Sequence, residues 1–170
     1  MNDSRNLDLR SIRKTPWAWT VATFFGTGLL RPGPGTWGSV AATLLFSSLV
    51  AVFHPPAPQL LALTLVGILL AVATGIPAAT IAARECAGKD PGFVVIDEVA
   101  GVWIALLAAI PHPDWKHILA ALLLFRAFDI AKPFPIRLIE KLPAGFGIVC
   151  DDLAAGLYAG AGVLLLARWL

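Results

Sequence analysis

Long apolar segments, separated by short polar or proline-rich segments, make up most of this chain. A helix rises about 1.5 Å per residue and the hydrocarbon core of a bilayer is about 30 Å thick, so about 20 apolar residues predict a membrane-spanning helix. The pattern therefore predicts an all-α integral membrane protein with about five transmembrane helices. We expect these helices at residues 36–53, 60–83, 93–110, 115–130 and 153–170.

Two of these helices have boundaries that depend on single residues. The third apolar segment is too short to cross a bilayer if it starts at Val99, so its helix should begin near Phe93 or Val94. The second contains Gly75 and Pro77, and proline removes a helical hydrogen bond. We expect the second helix to bend or end there, followed by a short surface helix.

The N-terminal part of the chain has a different pattern. Residues 1–15 are polar and basic and are expected to form a cytoplasmic N-terminus, leaving 16–170 as a single membrane-embedded domain. Residues 16–30 are apolar, but a helix of that length spans only about 22 Å, so we predict an interfacial or re-entrant helix. Residues 31–39 follow, and their two prolines and three glycines exclude regular helix across the whole segment.

Composition excludes a soluble globular domain. The chain is 58% hydrophobic with a mean hydropathy of +0.77, which leaves too little polar surface to face water. Two cysteines, Cys86 and Cys150, are too few for a disulfide framework and are expected to be reduced. If the N-terminus is cytoplasmic, only Lys116 and Arg168 of the 13 lysines and arginines fall on outer segments, as the positive-inside rule requires.

Five carboxylates fall at the predicted cytoplasmic ends of the third, fourth and fifth helices. They are Asp97, Glu98, Asp129, Asp151 and Asp152. Hard divalent cations such as Mg²⁺ take oxygen ligands of this kind, so the set predicts a magnesium site. The alternative is helix capping, which explains one acid per helix but neither adjacent pairs nor Asp129 at a C-terminal end. For any single residue both interpretations stay open.

Two sets of residues are candidates for binding a phosphate group. Arg126 and Lys132 lie three residues either side of Asp129, about one helical turn, and the alternative for them is positive-inside topology with attraction to anionic lipid. The segment 31–39 offers glycines and a helix start, which favour anions. Its candidates are Arg31, Thr36 and Ser39, and the alternative is a membrane-entry turn with Thr36 as N-cap.

Missing motifs narrow the chemistry. His54, His112 and His117 all fall on the predicted outer side, so a histidine base at the acidic cluster is not expected. Neither cysteine begins a C-x5-R loop, and no G-x-x-x-x-G-K-[ST] loop is present. Metal-assisted chemistry remains, in which an ion polarises a phosphoryl group and generates hydroxide from bound water.

Four sequence blocks together resemble the bacterial phosphatidylglycerophosphatase A family. They are GTGLLRPGPGTWGS (26–39), DPGFVVIDEVAGVW (90–103), FRAFDIAKPFPIR (125–137) and GIVCDDLAAG (147–156). The resemblance implies a Mg²⁺-dependent, multi-pass phosphatase of the bacterial inner membrane, acting at the cytoplasmic face. Its lipid substrate would be phosphatidylglycerophosphate and its product phosphatidylglycerol. By motif, the five carboxylates are the family's acidic positions, and Arg126 and Lys132 its adjoining cations.

Two other functions are compatible with intramembrane acids. One is a membrane phosphotransferase acting on nucleotide-activated lipids, although the D-G-x-x-A-R-x8-G-x3-D-x3-D spacing of such enzymes is missing. The other is a carrier or proton-relay protein, which predicts acids at several membrane depths rather than one. No feature of the sequence points to nucleic acid as a partner.

Overall fold

The computed structural model describes residues 14–86, 91–139 and 144–170, all of whose regular elements are helical. The predicted basic terminus therefore lies outside the described residues except for Lys14 and Thr15, and so do Lys89 and Lys141. A 3₁₀ turn at Thr27–Leu29 follows the first helix. The helices are α1 (Pro16–Ala22), α2 (Pro34–Phe53), α3 (Ala57–Glu85), α4 (Ile96–Leu107), α5 (Trp115–Ala131), α6 (Ile136–Ile139) and α7 (Ala144–Leu166).

Three helices of the described chain are long and apolar enough to cross a membrane: α2, α3 and the Gly147–Leu166 part of α7. Helix α4, with 12 residues, and α5, with 17, are shorter. The all-helical prediction is confirmed for the described residues, whereas the number of crossings stays a prediction.

Helix α4 lies at the centre of the packing and contacts α2, α3, α5 and α7. It approaches the backbone of α7 closely, because a Cβ atom on Gly156 would lie 2.2 Å from the carbonyl oxygen of Gly101. The indole of Trp103 donates a hydrogen bond of 3.0 Å to the carbonyl of Ala42 on α2. These two contacts hold α4 against α7 and α2, and they bring the first turn of α4 towards α7.

Helix α3 does not end at Pro77, so the predicted separate surface helix was wrong. The helix continues from Ala57 to Glu85. Ala78, Ala79 and Ala82 are fully buried just after the proline. Their packing holds the segment helical although Pro77 lacks an N–H group.

The start of α4 was predicted two or three residues too early. The backbone N–H of Val95 donates a hydrogen bond of 2.8 Å to the carbonyl of Ala22, which belongs to α1. The ring of Phe93 stacks on that of Trp19, with centroids 4.6 Å apart. Contacts with α1 therefore keep residues 93–95 out of the helix.

The start of α7 was predicted nine residues too late, at Leu153. The helix begins at Ala144, so Asp151 and Asp152 lie inside it rather than before it. Helix α2 also begins earlier than predicted, with Gly33 rather than Thr36 at its N-cap position.

Candidate active site

Three carboxylates from two helices lie close together near the start of α4. Asp97 and Glu98 occupy the first turn of α4, and Asp152 comes from α7. One oxygen from each lies within 4.8 Å of the other two. Asp97 is only 7% exposed and Asp152 only 4% exposed. We call these three residues the carboxylate cluster.

The C-terminal part of α5 places Arg126 and Asp129 beside the carboxylate cluster. Arg126 donates from an Nη atom to Asp129 at 2.6 Å, and the same nitrogen lies 3.9 Å from Glu98 Oε1. Asp129 is close enough to Glu98 and Asp152 to interact with both. Asp129 therefore connects the cation to the cluster from a third helix.

Lys132 and Asp151 form a second ion pair, which joins the C-terminal end of α5 to α7. Lys132 is the C-cap residue of α5 and adopts a left-handed conformation, which turns the chain out of the helix. Its ammonium donates to Asp151 at 2.7 Å, and Asp151 is buried. The structure thus places Asp151 with a cation rather than within the carboxylate cluster.

Helix capping accounts for at most one of these acids, Asp97, whose Oδ1 accepts a hydrogen bond of 3.1 Å from the backbone N–H of Glu98. Asp151 and Asp152 lie in the third turn of α7, where no free N–H groups need a cap. The N-cap position of α4 is Val95, which makes no side-chain capping bond. Only Asp97 and Glu98 lie where the helix dipole favours negative charge.

Two buried polar atoms at the site lack a hydrogen-bond partner among the described residues. They are Oε2 of Glu98 and Nε of Arg126. A buried acceptor without a partner is costly, and native proteins usually satisfy it. Crowded carboxylate oxygens with an unsatisfied acceptor suit a hard divalent cation, and a guanidinium with a spare donor suits a phosphate.

The predicted phosphate-binding residues of segment 31–39 differ in their surroundings. Arg31 and Thr36 are exposed, and among the described residues neither makes a hydrogen bond or ion pair with the carboxylates. The Ser39 hydroxyl is buried and donates to the carbonyl of Gly35 in its own helix, at 2.8 Å. Instead Gly35, which the sequence did not single out, lies directly against Glu98.

Buried carboxylates and paired cations from separate helices suit an enzyme that acts on phosphate esters, because they can hold a divalent cation and a phosphate group. Comparison with known proteins agrees with this class. Residues 20–167 match the model of the family described as Phosphatidylglycerophosphatase A. No solved structure matches the chain.

Three relatives cover most of the chain. Phosphatidylglycerophosphatase A of Haemophilus influenzae is 42% identical over 88% of both chains. Phosphatidylglycerophosphatase A of Escherichia coli K12 is 36% identical over 88% of this chain and 81% of its own. A putative phosphatidylinositol-3-phosphatase of Bacteroides thetaiotaomicron is 38% identical over 88% of this chain and 92% of its own.

The chain belongs to the phosphatidylglycerophosphatase A family. It is accordingly a phosphoric monoester hydrolase, and both the resemblance and the enzyme class predicted from the sequence are confirmed.

Proposed function

We propose that this protein hydrolyses the terminal phosphate of phosphatidylglycerophosphate, releasing phosphatidylglycerol and inorganic phosphate. Two relatives carry the name of this activity. The observation that carries the proposal is the carboxylate cluster, in which one oxygen from each residue lies within 4.8 Å of the other two. Arg126 lies 3.9 Å from Glu98 of this cluster, and Lys132 pairs with Asp151, the neighbour of Asp152 in the chain. Carboxylates that hold a divalent cation, together with cationic side chains, suit a phosphomonoester, because its reaction develops negative charge at the phosphoryl oxygens.

Asp97, Glu98 and Asp152 would hold Mg²⁺, and the unpartnered Oε2 of Glu98 fits such a role. When bound, the ion would polarise the phosphoryl group and lower the pKa of a water molecule. Asp129 lies next to the carboxylate cluster but is not one of its three residues. Asp151 would act through Lys132 rather than as a metal ligand.

Arg126 and Lys132 would bind the phosphate. In the structure each is paired with a carboxylate, Asp129 or Asp151, which holds the cation in a fixed position. The Nε atom of Arg126 is buried and has no hydrogen-bond partner among the described residues, which supports a role for this side chain in binding the substrate. Prepositioned cations need little rearrangement as charge develops on the phosphate.

The proposal places the protein in the bacterial inner membrane with the site at the cytoplasmic face. Five crossings would be α2, α3, α4 with its flanking turns, α5 and α7, with α1 at the interface. Large apolar side chains on α3 support contact with lipid, since Val66, Leu69 and Leu70 are each more than half exposed. The lysine and arginine asymmetry supports the orientation.

Phosphate release from phosphatidylglycerophosphate in mixed micelles tests the proposal. Purified protein should release phosphate with Mg²⁺ and stop when EDTA is added, and Mg²⁺ should restore the rate. Activity undiminished by EDTA would reject the metal role. Transfer of a head group from a nucleotide-activated lipid to an alcohol, without hydrolysis, would favour the phosphotransferase, and liposome flux without phosphate release would favour a carrier.

A second substrate follows from one relative, which is named as a putative phosphatidylinositol-3-phosphatase. Both names describe a phosphate monoester on the head group of a phospholipid. Phosphatidylinositol 3-phosphate should therefore be assayed beside phosphatidylglycerophosphate under identical conditions. A higher kcat/KM for the inositol lipid would replace our substrate assignment while keeping the chemistry.

A further inference from the structure

Gly35 brings the backbone of α2 close to the carboxylate cluster. It lies in the first turn of α2, where a Cβ atom would lie 2.0 Å from Oε1 of Glu98. The same Cβ would lie 3.3 Å from an Nη atom of Arg126. A carbon atom cannot approach a carboxylate oxygen to 2.0 Å, so any side chain at position 35 must displace Glu98.

The backbone of Gly35 does not itself require glycine. Gly33, two residues earlier, has a φ of +71°, which disfavours other residues, but Gly35 is helical. Alanine would be favoured over glycine at an ordinary helical position, by about 0.5–1 kcal/mol in a helix interior. The space taken by Glu98 is therefore what excludes a side chain at position 35.

The approach also has an electrostatic consequence. The first N–H groups of a helix lack intrahelical partners and carry partial positive charge. Helix α2 brings this end against Glu98, whose Oε1 already lies 3.9 Å from Arg126. The helix end and the guanidinium therefore confine Oε1 of Glu98 from two sides and leave Oε2 unpartnered.

We propose that Gly35 is a positioning residue of the active site. Its missing side chain lets the first turn of α2 fix the carboxylate of Glu98 in the carboxylate cluster, next to Arg126. This inference deepens the proposed function and rests on it for the role of Glu98. A methyl group at position 35 should move both charged groups without changing the charge of the site.

The first test is Gly35→Ala, with Gly160→Ala as the matched control. A Cβ atom on Gly160 of α7 meets its nearest atom at 3.6 Å, an ordinary contact. Changing a residue that holds a metal ligand in place costs about 10- to 100-fold in metal affinity or activity. We expect Gly35→Ala to lose Mn²⁺ affinity and kcat in that range, while Gly160→Ala keeps both. Unchanged Mn²⁺ affinity and kcat in Gly35→Ala would overturn the inference.

A double-mutant cycle with Glu98→Ala tests the contact itself. Without the carboxylate, the added methyl group at position 35 has room, so Gly35→Ala should then lower neither the melting temperature nor residual Mn²⁺ binding. If Gly35→Ala alone does not fold, restored folding in the double variant supports the contact, and continued failure contradicts it.

The cycle also separates the two proposals. If the wild-type protein releases no phosphate, the proposed function fails, yet the melting temperatures still report whether Gly35 and Glu98 are coupled. If the wild-type protein is an active, Mg²⁺-dependent phosphatase and the cycle shows no coupling, only the role of Gly35 is rejected.

Discussion

The two ends of helix α5 carry polar residues of very different kinds. At the N-terminal end, Asp114 accepts hydrogen bonds from the backbone N–H groups of Lys116 and His117, at 2.9 and 3.2 Å. At the C-terminal end, Arg126 faces Glu98 on α4 and Lys132 pairs with Asp151 on α7. The first set meets the needs of its own helix, whereas the second brings together side chains from distant parts of the chain.

Exposure separates the two ends as well. The Asp114 side chain is 50% exposed, while Asp129 is 14% and Asp151 only 7% exposed. A half-exposed acid with local backbone partners is explained by capping. Several buried acids with partners on other helices are expensive to maintain, and this cost indicates a function. Variants at both ends test that distinction.

The largest effect should come from the carboxylate cluster. Asp97→Asn and Asp152→Asn each remove one negative charge while keeping the shape of the side chain. Since altering a residue that merely supports a metal ligand costs about 10- to 100-fold, we expect phosphate release to fall by about 100-fold or more. Asp114→Asn is the matched control at the other end of α5 and should keep the wild-type rate. Equal rates of phosphate release in all three variants would show that the cluster has no catalytic role.

A smaller loss should follow from Asp151→Asn, which removes the negative charge that Asp151 places beside Lys132. The Lys132 ammonium and Asp151 lie 2.7 Å apart, so the substitution should release the cation from its fixed position. We expect kcat/KM for phosphatidylglycerophosphate to fall about 10-fold or more. Metal affinity should change little, because Asp151 pairs with the cation rather than joining the cluster. A loss of Mn²⁺ affinity equal to that of Asp152→Asn would make Asp151 a ligand.

Arg126→Lys should have a milder effect, since it keeps the charge. A lysine ammonium lacks the planar guanidinium that can contact Asp129, Glu98 and a phosphate together. We expect a loss of kcat/KM of about 10-fold, the equivalent of about 1.4 kcal/mol. A rate equal to that of the wild type would show that only the charge matters at this position.

The smallest effect on catalysis should come from Asp114, through stability alone. Its hydrogen bond with His117 is the main cause that lowers the pKa of the Asp114 carboxyl below its usual value. The folded state therefore binds the proton less readily than the unfolded state. The contribution of Asp114 to the free energy of unfolding is present above the pKa of about 3.9 that the carboxyl has in the unfolded state. It is lost as the pH falls through the lower pKa that the carboxyl has in the folded state.

Melting temperatures measured from neutral to acid pH test whether the stabilisation by Asp114 decreases as the pH falls. The wild-type protein should melt above Asp114→Ala at neutral pH, and the difference should shrink in acid, while activity at neutral pH stays unchanged. A difference that grows in acid would contradict the assignment of Asp114 as a cap.

Much of this fold was predictable from the sequence, because apolar segments of the right length specify helices. The predicted second and fourth helices overlap α3 and α5, and the first turn of α4 does hold Asp97 and Glu98. The start of α7 was not predictable by local rules. Adjacent aspartates are typical of a helix start, and only partners on α4 and α5 explain why they lie inside one.

The candidate site was predictable as a set of residue types but not as a geometry. The sequence predicted five acids at the same membrane depth. It could not distinguish the three that lie together in the carboxylate cluster from the two that form ion pairs with Arg126 and Lys132. That division depends on how α5 and α7 approach α4, where close contacts such as Gly101 with Gly156 set the spacing. Gly35 was missed because the sequence explains the glycines of segment 31–39 equally well as an anion-binding loop or as a turn, and it does not show which side chain lies against them.

Binding of Mn²⁺ by electron paramagnetic resonance tests the central claim most directly, namely that Asp97, Glu98 and Asp152 form one divalent-cation site. The wild-type protein and Asp114→Asn should bind Mn²⁺ saturably, with Mg²⁺ in competition, and the double variant Asp97→Asn/Asp152→Asn should not. Undiminished, Mg²⁺-sensitive binding in the double variant would contradict the account.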